Sequence, residues 1–287
     1  MKNKLKHLVP VLLALATITG SLSACELKPK AQQKVSKQGF YFDTIIQITL
    51  YGTTDEKYID DCFDMAKKYD DMLSNTVSYS EVSKINDAAG KEYVTVSDDT
   101  LELIKNGIEY GDTSDGRFDI TIGKLSDLWN FSEIAENTDS KDNEVDASVV
   151  PSDAQIQSEL SHVNYRNIQI NGNDVMLTDS KAKLDLGGIA KGFIADKMKA
   201  YLQSKKITSG IINLGGNVLT VGEKSDGSDY TVGIQKPFDE SGEPICTVKI
   251  KDKSVVTSGI YERYYRVDGK LYHHILDTTT GYPVKNN

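Results

Sequence analysis

The chain has 287 residues, with 33 Lys+Arg against 42 Asp+Glu, a formal net charge of -9 and 39% hydrophobic residues. That length suits one large domain or two small ones, and the acidic balance excludes a sequence-independent nucleic-acid binder, which needs a basic face to neutralise phosphates. Three cysteines, at 25, 62 and 246, are too few and too scattered for a disulfide framework or a CxxC zinc site.

At the N-terminus, Lys2, Lys4 and Lys6 precede an apolar run from Leu8 to Ile18, which Gly20, Ser21, Leu22, Ser23, Ala24 and Cys25 follow. A basic start, a short apolar stretch and small residues before a cut point describe a secretory signal, since a membrane span needs about 20 apolar residues. Leu22-Ser23-Ala24-Cys25 also matches the bacterial lipobox, in which the cysteine is diacylated and becomes the mature N-terminus. Cys25 is therefore the candidate lipidation site, with the protein expected on the extracytoplasmic face of a bacterial cell membrane; an ordinary cleaved signal beside a chance cysteine is the alternative. Loss of residues 1–24 takes three lysines, leaving 263 residues and a charge of -12. Residues 25–38, polar and carrying Pro29 and Lys28, Lys30, Lys34 and Lys37, read as a solvated tether. Cys62 and Cys246 lie in apolar patterns and are predicted as small buried hydrophobes.

Beyond the tether, strand-like and helix-like stretches alternate. Phe42 to Leu50 is β-branched, ends at Gly52 and predicts a strand. Ile59, Cys62, Phe63, Ala66 and Leu73 recur at helical spacing behind Thr54 and Asp55, and Leu101, Ile104 and Ile108 do so behind Ser97 and Asp98. Residues 132–150 are polar and acidic and read as a surface insertion or inter-lobe loop. Lys183 to Leu186 predicts a short strand running into Gly187-Gly188-Ile189-Ala190-Lys191-Gly192, with helical spacing from Phe193. A strand, a glycine turn and a helix start form an anion site because backbone N–H groups point outward at the positive end of the dipole. The spacing is neither GxGxxG nor GxxxxGK[ST], and the turn is equally consistent with a structural role.

A second glycine turn, Asn213-Leu214-Gly215-Gly216-Asn217, allows a close backbone approach to a ligand or serves as a tight turn. Tyr230 to Ile234 and Thr247 to Ile250 predict strands. Tyr261 to Val267 and Leu271 to Leu276 alternate about Asp268-Gly269, the signature of a hairpin with a type I′ turn. Period two places His273 and His274 on opposite faces, so only one of them faces a given site. His274 precedes Asp277 near a strand end, where active sites gather.

Five segments together resemble one family. Gly116-Arg117-Phe118-Asp119-Ile120-Thr121-Ile122-Gly123, Asp185 to Gly192, Asn213 to Asn217, Thr257-Ser258-Gly259 and His274-Ile275-Leu276-Asp277 occur in the order and spacing of the ApbE-type FAD:protein FMN transferases. The resemblance covers residues 39–287, and five motifs in order are far more specific than any one. It implies an α+β, T-fold-like architecture and a cell-envelope enzyme that binds FAD with Mg²⁺. The substrate partner is an acceptor protein carrying a motif of the type Asp-x-x-[Ser/Thr]-Gly-Ala-[Ser/Thr], whose hydroxyl attacks the FMN-side phosphorus and expels AMP.

Residue by residue, the resemblance implies a flavin contact at Phe42, where the family usually has Met, and flavin or nucleotide binding at Arg117, Phe118 and Asp119, with the Asp119 carboxylate accepting from adenine or ribose groups. Gly187 and Lys191 fall in the nucleotide-binding turn, and the Ala190 carbonyl matches a Mg²⁺ ligand. Thr257 and Ser258 match phosphate or flavin contacts, and Ile275 a further cofactor position. His274 matches the base on the acceptor hydroxyl, with Asp277 as its orienter or as a metal-side carboxylate. Two departures stand out. Thr76 occupies a position where many members carry an aromatic flavin contact. The sequence given also ends at Asn287, ahead of the family's Ala-Asp-Ala-Leu-Ser-Thr-Ala-like segment, which supplies the other metal ligands, and so reads as cut short at the C-terminus. Hydrolysis of FAD to FMN and AMP, and a non-catalytic flavin- or solute-holding lipoprotein, are the competing functions.

Overall fold

Two-residue turns at positive φ and β-branched strands set up the sheet that carries the molecule. In a computed structural model, which describes residues 33–138, 143–239 and 243–285, Lys34–Tyr41 (β1) and Thr44–Tyr51 (β2) form an antiparallel hairpin. Its turn is Phe42-Asp43, with φ +55° at both positions, the I′ geometry that matches the twist of the strands. Left-handed backbone costs a residue like Phe about 1–2 kcal/mol, offset here by packing of the Phe42 ring on the main core. Two expectations shift accordingly. The strand begins at Lys34, inside the expected tether, because Val35 is buried opposite Leu50; and Phe42 heads the turn instead of the strand. The signal segment and Cys25 lie outside the described residues.

Helix Lys57–Leu73 (α1) follows, burying Ile59, Cys62, Ala66, Tyr69 and Leu73, with Asp55 Oδ1 accepting from the Lys57 amide. Next come Glu81–Asp87 (α2), Val94–Thr95 (β3) and Asp98–Thr113 (α3). The last is capped by Ser97, whose hydroxyl accepts from the Thr100 amide, as the sequence predicts. Gly123–Trp129 (α4), Phe131–Glu136 (α5) and Asp153–Leu160 (α6) precede the hairpin Ile168–Asn171 (β4) and Asp174–Leu177 (β5). Gly187–Ser204 (α7) leads to Ser209–Leu214 (β6) and Asn217–Gly222 (β7), then Tyr230–Gln235 (β8), Pro244–Ile250 (β9), Ser254–Val255 (β10), Tyr264–Val267 (β11) and Lys270–His273 (β12).

The central sheet has the order β1-β2-β6-β7-β10, antiparallel throughout. Smaller sheets are β3-β5-β4, β8-β9 and β11-β12. The Gly215-Gly216 and Asp268-Gly269 turns both run at positive φ, as two-residue hairpins require. Helices with antiparallel sheets make the fold α+β. α7 packs between the central sheet and helices α1 and α3, and its Ile194, Met198 and Leu202 join Ile46, Ile48, Leu50 and Ile212 in the main core. On α3, Gly107 and Gly111 let Ile120 and Tyr165 approach the helix backbone; a Cβ at either would lie within 2.8 Å of those side chains.

A second core forms where a surface loop was expected. Residues Phe131 to Glu136 are helical, Val145, Val149 and Val150 pack inward, and Glu144 bridges to Arg266 of β11. Leu125, Trp129, Phe131, Ile156, Tyr265, Val267, Tyr272 and Leu276 fill this core. The polar composition hid it because its apolar residues are spaced between exposed acids. Cys62 is buried, and burial pushes its thiol up to about 12; Cys246 is exposed on β9, contrary to expectation, because that strand leaves most of its residues in solvent.

Trp129 stacks on Phe131 at 5.5 Å and donates its indole N–H to Gly281 O at 2.8 Å. Trp129→Ala is expected to cost about 3–5 kcal/mol, read by circular dichroism as a lower denaturant midpoint. A loss below about 1 kcal/mol would show that this second core adds little.

Candidate active site

The segment after α3 is shaped by one buried carboxylate. Asp119 Oδ1 accepts from the Thr121 amide at 2.8 Å and the Thr121 hydroxyl at 2.6 Å, while Oδ2 accepts from the Tyr165 amide at 2.8 Å. Both oxygens are thereby used within the chain. The residue, expected to receive adenine or ribose groups, is buried and holds the loop. What the loop presents is Arg117, exposed, and Phe118, half-buried and edge-on to Tyr110 at 6.0 Å.

Lys183 to Leu186 makes only a single parallel bridge, Ile122 to Lys183, so the predicted strand is not formed. Asp185 N–H donates to Ile120 O at 2.8 Å, and Gly123 N–H to Lys183 O at 3.0 Å. The helix then starts at Gly187 itself, so the glycine run forms the first turn of α7. Asp185 Oδ1 accepts from the Gly187 amide at 2.8 Å. Gly187 and Gly188 are exposed, and a Cβ on Gly188 would stand 3.1 Å from the Phe118 ring. The absent side chain lets the Phe118 ring approach the positive end of the helix. Lys191 follows in the next turn, half-buried.

The third side comes from the end of β12. His273 is buried, with Nε2 3.0 Å from Val284 O and Nδ1 accepting from the Ile275 amide at 3.3 Å. Ile275 O accepts from the Val284 amide at 2.9 Å, so both backbone groups of Ile275 are occupied and its side chain alone is free for a ligand. His274 has its amide donating to Arg263 O at 3.1 Å and its ring Nδ1 3.3 Å from the same oxygen. A carbonyl only accepts, so Nδ1 carries the proton and Nε2 presents a lone pair. Among the three described histidines, His273 is bonded at both nitrogens, whereas His162, held by Asp179 at 2.7 Å through Nδ1, and His274 each keep Nε2; of these two, His274 is the one that belongs to the segment predicted from sequence.

Asp277 does not orient His274. Its Oδ1 accepts from the Thr279 amide at 2.7 Å and the Thr279 hydroxyl at 2.5 Å, closing the turn that ends at Gly281. The Arg263 carbonyl takes the orienting part. The Thr279 hydrogen bonds, with help from Arg117, hold the Asp277 carboxyl below its usual range. Thr278 Oγ donates to Gly116 O at 2.7 Å, tying this turn to the Arg117-Phe118 loop.

Burial pushes the His274 imidazole below its ordinary value, and the charges of Arg263, His273 and Lys191 add to that against the opposing Arg263 hydrogen bond. Burial likewise lowers the Lys191 ammonium, assisted by Arg263 and opposed by Glu262. The site thus collects Arg117, Phe118, Gly188, Lys191, Arg263, His274 and Asp277. Phe42, at its hairpin turn, and Thr257 and Ser258, exposed after β10, make none of these contacts among the described residues. Asn217, beside Gly192 of α7, buries an Oδ1 without a hydrogen-bond partner. Arg263 was overlooked in the sequence. Strand alternation puts it in phase with buried Tyr265 and Val267, and a charge at an apolar phase was the available signal.

Ala190 lies buried in the helix, where its carbonyl runs with the helical hydrogen-bond register. Among the described residues no three His, Cys, Asp or Glu side chains gather as a metal site. Magnesium favours near-octahedral oxygen ligation with carboxylates, and the described residues do not supply that set.

The ApbE family pattern matches residues 42–287. The chain belongs to the ApbE family. It is 37% identical over 243 residues to the FAD:protein FMN transferase of Klebsiella pneumoniae (strain 342), covering 84% of this chain and 71% of that one. With the FAD:protein FMN transferase of Vibrio cholerae it shares 30% over 278 residues, 96% and 79% of the two chains. The crystal structure of the ApbE protein from Thermotoga maritima superposes with a TM-score of 0.78 at 32% identity, covering 88% of this chain and 79% of that one. The flavin transferase ApbE from Vibrio cholerae gives 0.74 at 27%, covering 89% and 79%. The expected α+β ApbE architecture is therefore the observed one.

Asp119→Ala removes an acceptor from three donors and is expected to lower stability by about 2–4 kcal/mol. At a temperature where the variant stays folded, its affinity for FAD by equilibrium titration should be unchanged; a selective loss of affinity without loss of stability would return Asp119 to the ligand.

Proposed function

We propose that the protein transfers FMN from FAD to a Ser or Thr hydroxyl of an acceptor protein and releases AMP. The observation that carries this is the His274 ring, fixed by the Arg263 carbonyl with its Nε2 lone pair open, in a site to which Lys191 and Arg263 bring positive charge. The relatives named above, FAD:protein FMN transferases by name, support the reading.

In the chemistry that follows, the acceptor oxygen forms a bond to the FMN-side phosphorus while the bond from that phosphorus to the bridging oxygen breaks. His274 Nε2 takes the hydroxyl proton, and the electron pair leaves on AMP. Phosphoryl transfer asks a protein mainly to position groups and offset charge. The Phe118 face, the open first turn of α7 and the basic side chains do this here. The Asp-x-x-[Ser/Thr]-Gly-Ala-[Ser/Thr] acceptor motif and magnesium dependence belong to the same reading; magnesium requires carboxylate ligands other than the described set, and no step above is routed through it. Cys25, lipidated, anchors the domain to the extracytoplasmic face of a bacterial membrane.

The test combines purified protein, FAD, Mg²⁺ and an acceptor domain bearing that motif. The acceptor is expected to keep flavin fluorescence after denaturation, with one AMP released per label. FMN and AMP without label would make it a hydrolase, and FAD binding without turnover a passive holder. His274→Ala is expected to slow labelling about 10²–10⁴-fold. Since His274 must be neutral to accept a proton and its value is depressed, the wild-type rate should fall with acid only below about pH 6.5. An acid limb above that pH, or normal labelling by the variant, would remove His274 as base. In a bacterial host, Cys25→Ser should shift the protein from the membrane to the soluble fraction; a variant that stays membrane-bound would refute the anchor.

A further inference from the structure

We propose that Arg263 grips the diphosphate of the bound dinucleotide, so that one residue places both the base and the phosphorus it serves. The proposal rests on the FMN-transfer reading and adds a substrate contact to it. The chain has four arginines, at 117, 166, 263 and 266. Arg166 lies 4.7 Å over the Tyr165 ring and 3.5 Å from Asp112. Arg266 lies 5.5 Å over the Phe238 ring, and its Nη1 donates to Gly269 O at 3.4 Å. Those two are consumed by the fold. Arg117 and Arg263 are both exposed, with neither an ion pair nor a stacked ring among the described residues; Arg117 acts on Asp277 from the Phe118 loop, whereas Arg263 is the one whose carbonyl holds His274.

Its backbone is nevertheless rigidly placed. The Glu262 amide donates to Gly259 O at 3.0 Å, and the Tyr261 ring lies 2.5 Å from where Gly259 would carry a Cβ. Tyr261 and Tyr264 pack edgewise on Phe238 at 6.0 and 5.3 Å. The Arg263 carbonyl is then fixed again by two contacts from His274. A guanidinium on such a braced backbone loses little freedom on binding, and its planar fork matches two phosphate oxygens at once. Its charge also acts on both His274 and Lys191, which groups it with the base and with the first turns of α7. An arginine without an ion pair beside a half-buried lysine, whose mutual repulsion the charge of Glu262 offsets only in part, is an arrangement that a dianionic ligand relieves.

The experiment uses the full chain and three probes: FAD, ADP and riboflavin, which share the diphosphate or the flavin but only FAD has both. Arg263→Gln is expected to weaken FAD and ADP at least tenfold by fluorescence or calorimetric titration, to leave riboflavin unchanged, and to raise KM for FAD more than it lowers kcat. Arg263→Lys should recover part of the FAD and ADP affinity. Equal binding of all three probes by wild type and Arg263→Gln, or an equal loss for riboflavin, would overturn the proposal. Failure of the underlying reading shows itself separately, in a wild-type protein that binds FAD and never labels an acceptor.

Discussion

A carboxylate taken out of water must have its oxygens satisfied by donors held nearby, and the functional face of this molecule follows from how Asp119 meets that demand. Two of its hydrogen bonds close the loop after α3 on Thr121, and the third joins that loop to the backbone of Tyr165, 46 positions away. Once that loop is fixed, Ile120 O and the Gly123 amide are aligned to receive the segment Lys183 to Asp185, and that segment aims the first turn of α7 at Phe118. Thr278 closes the arrangement from the far end of the chain by donating to Gly116 O. Three stretches far apart in sequence thus meet around a framework that touches no substrate.

The two cores divide the work of supporting this framework. The main core, between the central sheet and α7, sets the helix start. The second core sets the turn from Asp277 to Gly281, since Gly281 packs against Ile156 with no room for a Cβ and its carbonyl receives the Trp129 indole. His274 lies just before that turn, so the position of the base depends on the packing of Trp129, Tyr265 and Tyr272. Tyr265 buries its hydroxyl there without a partner, and burial raises it well above the usual phenol range. An unpaired buried hydroxyl weakens a core; here the stacked rings of Phe131 and Tyr272, at 5.1 and 5.6 Å, supply the opposing packing.

The parts of this structure that were legible in sequence are those decided locally. The Ser97 cap, the apolar stripes of α1 and α3 and the Asp268-Gly269 turn depend on neighbours a few residues away, and periodicity reads such neighbours directly. The failures share a different cause. Lys183 to Leu186 has strand-like residues, but its fate was settled by a partner about 60 positions back that offers only one bridge. Phe42 carries no turn signal, because Gly or Asn is the usual mark of positive φ and tertiary packing overrides it here. Residues 132–150 look solvated until β11 arrives to cover their valines. In the site, the histidine was legible through its motif, whereas its orienting group was not. A backbone carbonyl has no residue identity to read, whereas the carboxylate of Asp277, here bonded to Thr279, was the natural choice from sequence.

The charge distribution explains why an acidic protein can offer an anion site. At physiological ionic strength, charges beyond roughly 8 Å are largely screened, so the net charge of -9 matters less inside the cleft than the few groups lining it. Several lysines elsewhere are matched to acids, as in Lys57 with Asp61, Lys67 with Asp71 and Lys197 with Asp99 and Glu102, and these pairs cancel locally. Lys191 and Arg263 make no ion pair among the described residues, Glu262 offsetting Lys191 only in part, and both act on His274. Their repulsion also favours the neutral imidazole, the form that accepts a proton. An anion drawn to the cations would weaken that bias, whereas the ring's burial and its bond to the Arg263 carbonyl persist. Base orientation is therefore built into the backbone, and the charge around it is left free to respond to the substrate.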